Sequence, residues 1–141
     1  RVVKGRGNGS SIQSWMKSSR YLMATEDPFV VLPMSWYKVK GTPGTGDLCA
    51  VIYGNRIYPA ILGDSGPDTK VGEASMKLAS QLNSKASGTQ RAISNVGVTY
   101  LFFPGTKLNS GNLDYSQWRE RIIELLGEIG GVSSVDAVHT W

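Results

Sequence analysis

Asp64 and Glu73 are the residues of this chain whose types and spacing most readily do chemistry. They lie in the segment GDSGPDTKVGEAS, residues 63–75, where an apolar run delivers Asp64 and a loop rich in Gly and Pro leads on to Glu73. Loops held between rigid elements commonly present reactive groups. Two carboxylates without histidine or metal suit hydrolysis of a glycosidic bond. One, kept protonated by its surroundings, donates to the leaving oxygen; the other, ionised, activates water or attacks the sugar carbon. On pattern alone a structural reading stands beside this one, with Asp64 capping a turn and Glu73 a first-turn helix carboxylate favoured by the helix dipole.

Other chemistries fit less well. GDSGP resembles the stretch around the nucleophile of chymotrypsin-like proteases with one glycine missing, but that chemistry needs a histidine base oriented by a carboxylate. The single histidine, His139, follows the serine and sits in the apolar-alternating run VDAVHTW, which reads as partly buried structure. One histidine and one cysteine far apart cannot form a zinc site. Asp64, Asp68 and Glu73 are oxygen ligands for calcium in type but not in calcium-loop spacing, so no metal and no cofactor is expected. GRGNG and GTPGTG lack the ending and the framing of phosphate loops. Cys49, between Leu48 and Ala50, reads as a buried packing residue.

The elements that must position the two acids are legible in outline. Residues 29–32 (FVVL) form a short β-prone run between Pro28 and Pro33, and 35–40 alternate like a half-buried strand. Residues 47–53 and 56–62 flank Gly54-Asn55, a pair suited to a tight hairpin turn with positive φ. Pro59 places its strand at an edge or a bulge. A loop fills 63–72. The period then changes: Ala74, Leu78, Ala79 and Leu82 share a face, which predicts a helix over 73–82. Residues 96–103 read as another strand, a second helix starts near Ser116 with Trp118, Ile122, Leu125 and Leu126 on one face, and 135–141 read as a last strand. Residues 1–24 are expected to be a basic, irregular arm with a short helix or strand near 12–23, followed by one domain over 25–141. The pattern predicts an α+β protein: a compact, mostly antiparallel β-barrel of about six strands, of the double-psi kind among others, with two or three flanking helices.

Composition narrows the partners. The length of 141 residues suits one domain, and no apolar run is long enough for a membrane span. The net charge of +4 is spread over a basic first third that lacks the interleaved aromatics of nucleic-acid binders, so no nucleic acid is expected.

The stretch AILGDSGPDTKVGEASMKLA, residues 60–79, resembles the signature of the fungal-type chitosanases, glycoside hydrolase family 75, which also occur in bacteria. DPFVVLP (27–33) and GDLCAVIYGNRIYPAILGD (46–64) are similar to the family as well. The resemblance implies an endo-acting, inverting hydrolase of β-1,4 bonds in chitosan or a related aminosugar polymer, with its essential Asp and Glu falling on Asp64 and Glu73. The paired-acid chemistry then expects the two to face each other over an open trough, with carboxyl groups roughly 6.5–9.5 Å apart. A helix dipole at Glu73 would favour it as base, and desolvation would make Asp64 the acid. Asp68, Trp36, Tyr37, Tyr58 and Tyr100 are candidate substrate-binding residues, with Tyr53 a further aromatic. The overall positive charge pulls against a polycationic substrate unless the acidic residues gather in one cleft. A secreted, monomeric enzyme is expected; the alternative is a non-catalytic carbohydrate-binding or cell-wall- or phage-associated module that kept the fold.

Overall fold

The computed structural model describes residues 2–3, 22–87, 92–93, 97–108 and 113–141. Most of the arm expected over 1–24, including most of the helix or strand expected near 12–23, lies outside them. Strands β1 (Val2–Val3), β2 (Phe29–Pro33), β3 (Leu48–Tyr53), β4 (Arg56–Gly66), β5 (Glu73–Ser75) and β6 (Thr99–Phe103) form one sheet in the order β1-β5-β2-β4-β3-β6. Two helices, α1 (Met76–Leu82) and α2 (Tyr115–Gly127), accompany it.

The sheet is mixed and open, which corrects the expected antiparallel barrel. β2 runs parallel to β4, and β1 parallel to β5; the other three pairings are antiparallel. Among the described residues the two edge strands do not pair with each other. The sheet is nonetheless strongly curled. Four strand spacings would hold β5 and β6 roughly 19 Å apart in a flat sheet, yet the Tyr100 hydroxyl on β6 donates to the Glu73 carbonyl on β5 at 3.3 Å.

The β3–β4 hairpin forms as the sequence predicts: Tyr53 pairs with Arg56 across Gly54-Asn55, and Gly54 adopts φ +59°. β4 is central, but β2 covers it only from Ile61 onward, so Pro59 lies on a locally free flank. There a parallel bridge joins Ile57 to Val138, and the Trp141 indole donates to the Pro59 carbonyl at 2.7 Å.

Each face of the sheet has its own core. On one, Phe29, Val31, Leu48, Ala50 and Ile61 pack with Trp118, Ile122, Leu125 and Leu126 of α2. Burial of each large α2 side chain contributes about 1.5–3 kcal/mol, which outweighs the roughly 1 kcal/mol expected from the Asp114 side chain capping the Gln117 N–H. On the other, Val30, Cys49, Val51, Tyr58 and Ala60 pack with Leu78 of α1. Ser75 Oγ begins α1 by accepting from the Leu78 N–H, and it also accepts from the Phe29 N–H, which ties the helix start to β2.

Three local expectations fail for identifiable reasons. Residues 34–38 form a 3-10 turn rather than a strand: among the described residues they meet no partner strand, and Trp36 stands 43% exposed. The predicted final strand shrinks to a 3-10 turn, Val135–Ala137, and the single bridge at Val138. The predicted helix over 73–82 starts only after Ser75, because Glu73–Ser75 form a strand, with Glu73 and Ala74 paired to β2 and Ser75 to β1.

Candidate active site

β4 does not stop at Leu62 as expected but runs on to Gly66, and so carries Asp64 on a strand. Between Val30 and Val31 the β2–β4 register slips: Val30 opposes Leu62, and Val31 opposes Asp64. Gly63 is the extra residue of this β-bulge. A regular continuation would set Gly63 against Val31 and Asp64 against Leu32, on the opposite face, since side chains alternate along a strand. Bulges re-aim side chains in this way. Only glycine fits here, because a Cβ on Gly63 would lie 2.6 Å from Phe29 Cβ and Cγ.

Glu73 reaches the same face from the other side. In β5 it opposes Val31, so Val31 has an acidic neighbour on each flanking strand. Two strand spacings put the Asp64 and Glu73 backbones roughly 10 Å apart with side chains on a common face. Gly66 completes the arrangement, since its missing Cβ leaves room for the Glu73 carboxylate: a methyl there would sit 2.4 Å from Oε2.

The two acids differ in exposure. Asp64 is half-buried, whereas Glu73 is 3% exposed, its carboxylate lying against the half-exposed Gly66. The structure departs from the expected open trough between the two acids: Asp64 is partly exposed and Glu73 is covered. Burial raises the Asp64 carboxyl above the usual aspartate range. The Ser65 N–H, which donates to Oδ1 at 2.9 Å, opposes the rise, and the Glu73 charge adds to it. Glu73 precedes the Ser75 cap of α1, so it is not a first-turn residue, and the dipole reasoning for its ionisation does not apply.

The other candidate residues divide. Tyr37, half-buried in the 3-10 turn after β2, directs its hydroxyl to the Asp64 carbonyl at 3.5 Å. Burial first, and the Asp64 charge after it, push its phenol up despite a hydrogen bond with Thr45, so it stays protonated. Trp36 is exposed on the same turn. Asp68, on the exposed loop after β4, accepts from the Ser35 N–H at 2.7 Å and so ties that loop to the turn; the bond holds its carboxyl below the usual range. Tyr58 lies elsewhere, 6% exposed in the opposite core beside the rings of His139 and Trp141. Tyr100 also belongs to that core and meets Glu73 through its backbone. Tyr53 packs at the margin of the same core.

The sequence reading gave Gly63 and Gly66 no role beyond loop-making. Their position, immediately around Asp64 and its neighbour Ser65, was the available signal. Among the described residues no three His, Cys, Asp or Glu side chains gather as metal ligands, and no helix is long and apolar enough to cross a membrane.

A pair of acids is what glycoside hydrolases use, and the comparison with known families gives that class for this protein. Over residues 5–130 the chain matches the family described as fungal chitosanase of glycosyl hydrolase group 75. It belongs to that family, which makes it a chitosanase-type glycoside hydrolase whose substrate is a polysaccharide. No match was found among curated proteins.

Proposed function

We propose that this protein is a secreted, endo-acting, inverting hydrolase of β-1,4 bonds in chitosan, with Asp64 as general acid and Glu73 as general base. The observation that carries the reading is the shared opposition of both acids to Val31 on one face of the sheet. The spacing of roughly 10 Å between their backbones suits carboxyl groups about 6.5–9.5 Å apart, the inverting separation that leaves room for water. Burial favours a protonated Asp64, which gives its proton to the glycosidic oxygen as the bond to the anomeric carbon breaks. Glu73 takes a proton from the water that attacks the opposite face of that carbon, and solvent exchange restores both groups. Trp36 offers an exposed aromatic face for a sugar ring, Tyr37 stands beside Asp64, and Asp68 ties the following loop to the same turn.

The coverage of Glu73 favours one second reading, a module that binds the polymer without cutting it. Reducing-end release from chitosan by wild type, Asp64→Asn and Glu73→Gln separates the two. Hydrolysis predicts an active wild type, an α-anomer as first product by NMR, and losses of about 10²–10⁴-fold in each variant. Equal behaviour of all three proteins, or a β-anomer formed first, would overturn the proposal.

A further inference from the structure

Two glycines stand close to Asp64 on β4, and neither is needed for its backbone angle, since neither is among the glycines of positive φ. What each needs is space, and the spaces differ in kind. A Cβ on Gly63 would meet Phe29 Cβ, Cγ and Cδ2 at 2.6–2.8 Å, atoms near the root of a fully buried ring. A Cβ on Gly66 would meet Glu73 Oε2 at 2.4 Å, with Val31 Cγ1 next at 3.0 Å. The first obstacle is core and cannot move. The second is the far end of a flexible side chain, which can retreat while the sheet stays as it is.

We propose that Gly66 is a positioning residue for catalysis: the absence of a side chain there forms the slot that seats the Glu73 carboxylate at its working distance from Asp64. The proposal rests on the reading of Asp64 and Glu73 as the reacting pair. With Ala at 66, Oε2 must withdraw from 2.4 Å to beyond the 3.0 Å that Cβ contacts essentially never undercut. A displacement of this order at a reacting group costs about 10²-fold in rate. An aspartate at 73 is shorter by one methylene, so it no longer reaches the new methyl group.

The test is a double-mutant cycle on chitosan hydrolysis, with thermal melts and crystal structures of each protein. Gly66→Ala is expected to melt near wild type and to lose about 10²-fold in kcat, with Oε2 displaced and the Asp64 backbone unmoved. Glu73→Asp alone is expected to lose activity too. The combination should exceed Gly66→Ala by about tenfold, a coupling that two independent losses would not give. Activity of Gly66→Ala close to wild type, or multiplicative losses in the double variant, would overturn the proposal. If Gly66→Ala fails to fold, folding of the double variant supports it and failure of both overturns it. A wild type that releases no reducing ends defeats the functional reading instead. The slot is then judged on the crystal structures alone, where an unmoved Glu73 carboxylate sinks it.

Discussion

Asp47 and Asp64 sit on the two arms of one hairpin, both near its open end, and they show two ways to place a carboxylate in a folded protein. Asp47 is 4% exposed, and its oxygens accept from the N–H groups of Gly44 at 2.7 Å, Gly105 at 2.9 Å and Lys107 at 3.1 Å. It knots the loops before β3 and after β6 into one corner. Asp64 is more open, yet its carboxylate accepts from the N–H of its own neighbour Ser65 at 2.9 Å, and burial raises its carboxyl. Backbone donors stabilise a charge and remove its reactivity; a half-dry carboxylate with few donors keeps a proton to give. On the proposed roles, donor supply, more than depth, separates the two acids.

The contrast is broken most forcefully at Asp47. Replacement by Ala leaves three N–H groups without their acceptor, and the expected loss is at least about 3 kcal/mol in a urea titration. The activity of the fraction that remains folded should be unchanged. An Asp47→Ala protein that is stable but inactive would show the assignment of the two acids to be inverted.

A smaller and opposite effect is expected at Asp64. A carboxyl raised in the folded state binds protons that the unfolded chain has already released, so stability falls as pH rises from the unfolded value through the folded one. Asp64→Asn removes that penalty. Thermal melts should therefore find it at least as stable as wild type at pH 7, with the difference vanishing below the ordinary aspartate range. A variant less stable at every pH would place Asp64 with Asp47 among the structural acids.

The mildest change is Trp36→Ala. Trp36 is 43% exposed, so stability should hold within experimental error, while loss of an aromatic face should raise KM for chitosan by about fivefold and leave kcat alone. A fall in kcat alone would remove Trp36 from substrate binding and tie it to the placement of Tyr37.

The parts of this architecture set by neighbouring residues were legible in the sequence. The β3–β4 hairpin announces itself through Gly54-Asn55, and the apolar stripe of Trp118, Ile122, Leu125 and Leu126 announces α2. Long-range choices were not. Nothing local tells β2 to pair with β4 rather than β3, and that pairing makes the sheet mixed and open. Glu73 read as helical because Ala74, Leu78 and Ala79 keep helical spacing, but β2 captured Glu73 and Ala74 into the sheet. The two acids themselves were readable by type and by the surrounding motif. Their common opposition to Val31 was not, because it hangs on one extra residue at Gly63, and composition has no way to signal which glycine in GDSG bulges.

The flank of β4 near Pro59 has a consequence for solubility. Bare strand margins invite other chains to add themselves. Here Pro59 withholds a donor at the place where one would be needed, and the Trp141 indole occupies the carbonyl of that same residue. An incoming chain would find this margin already taken, so the stretch of backbone between Ile57 and Ala60 is shielded from stacking by its own protein.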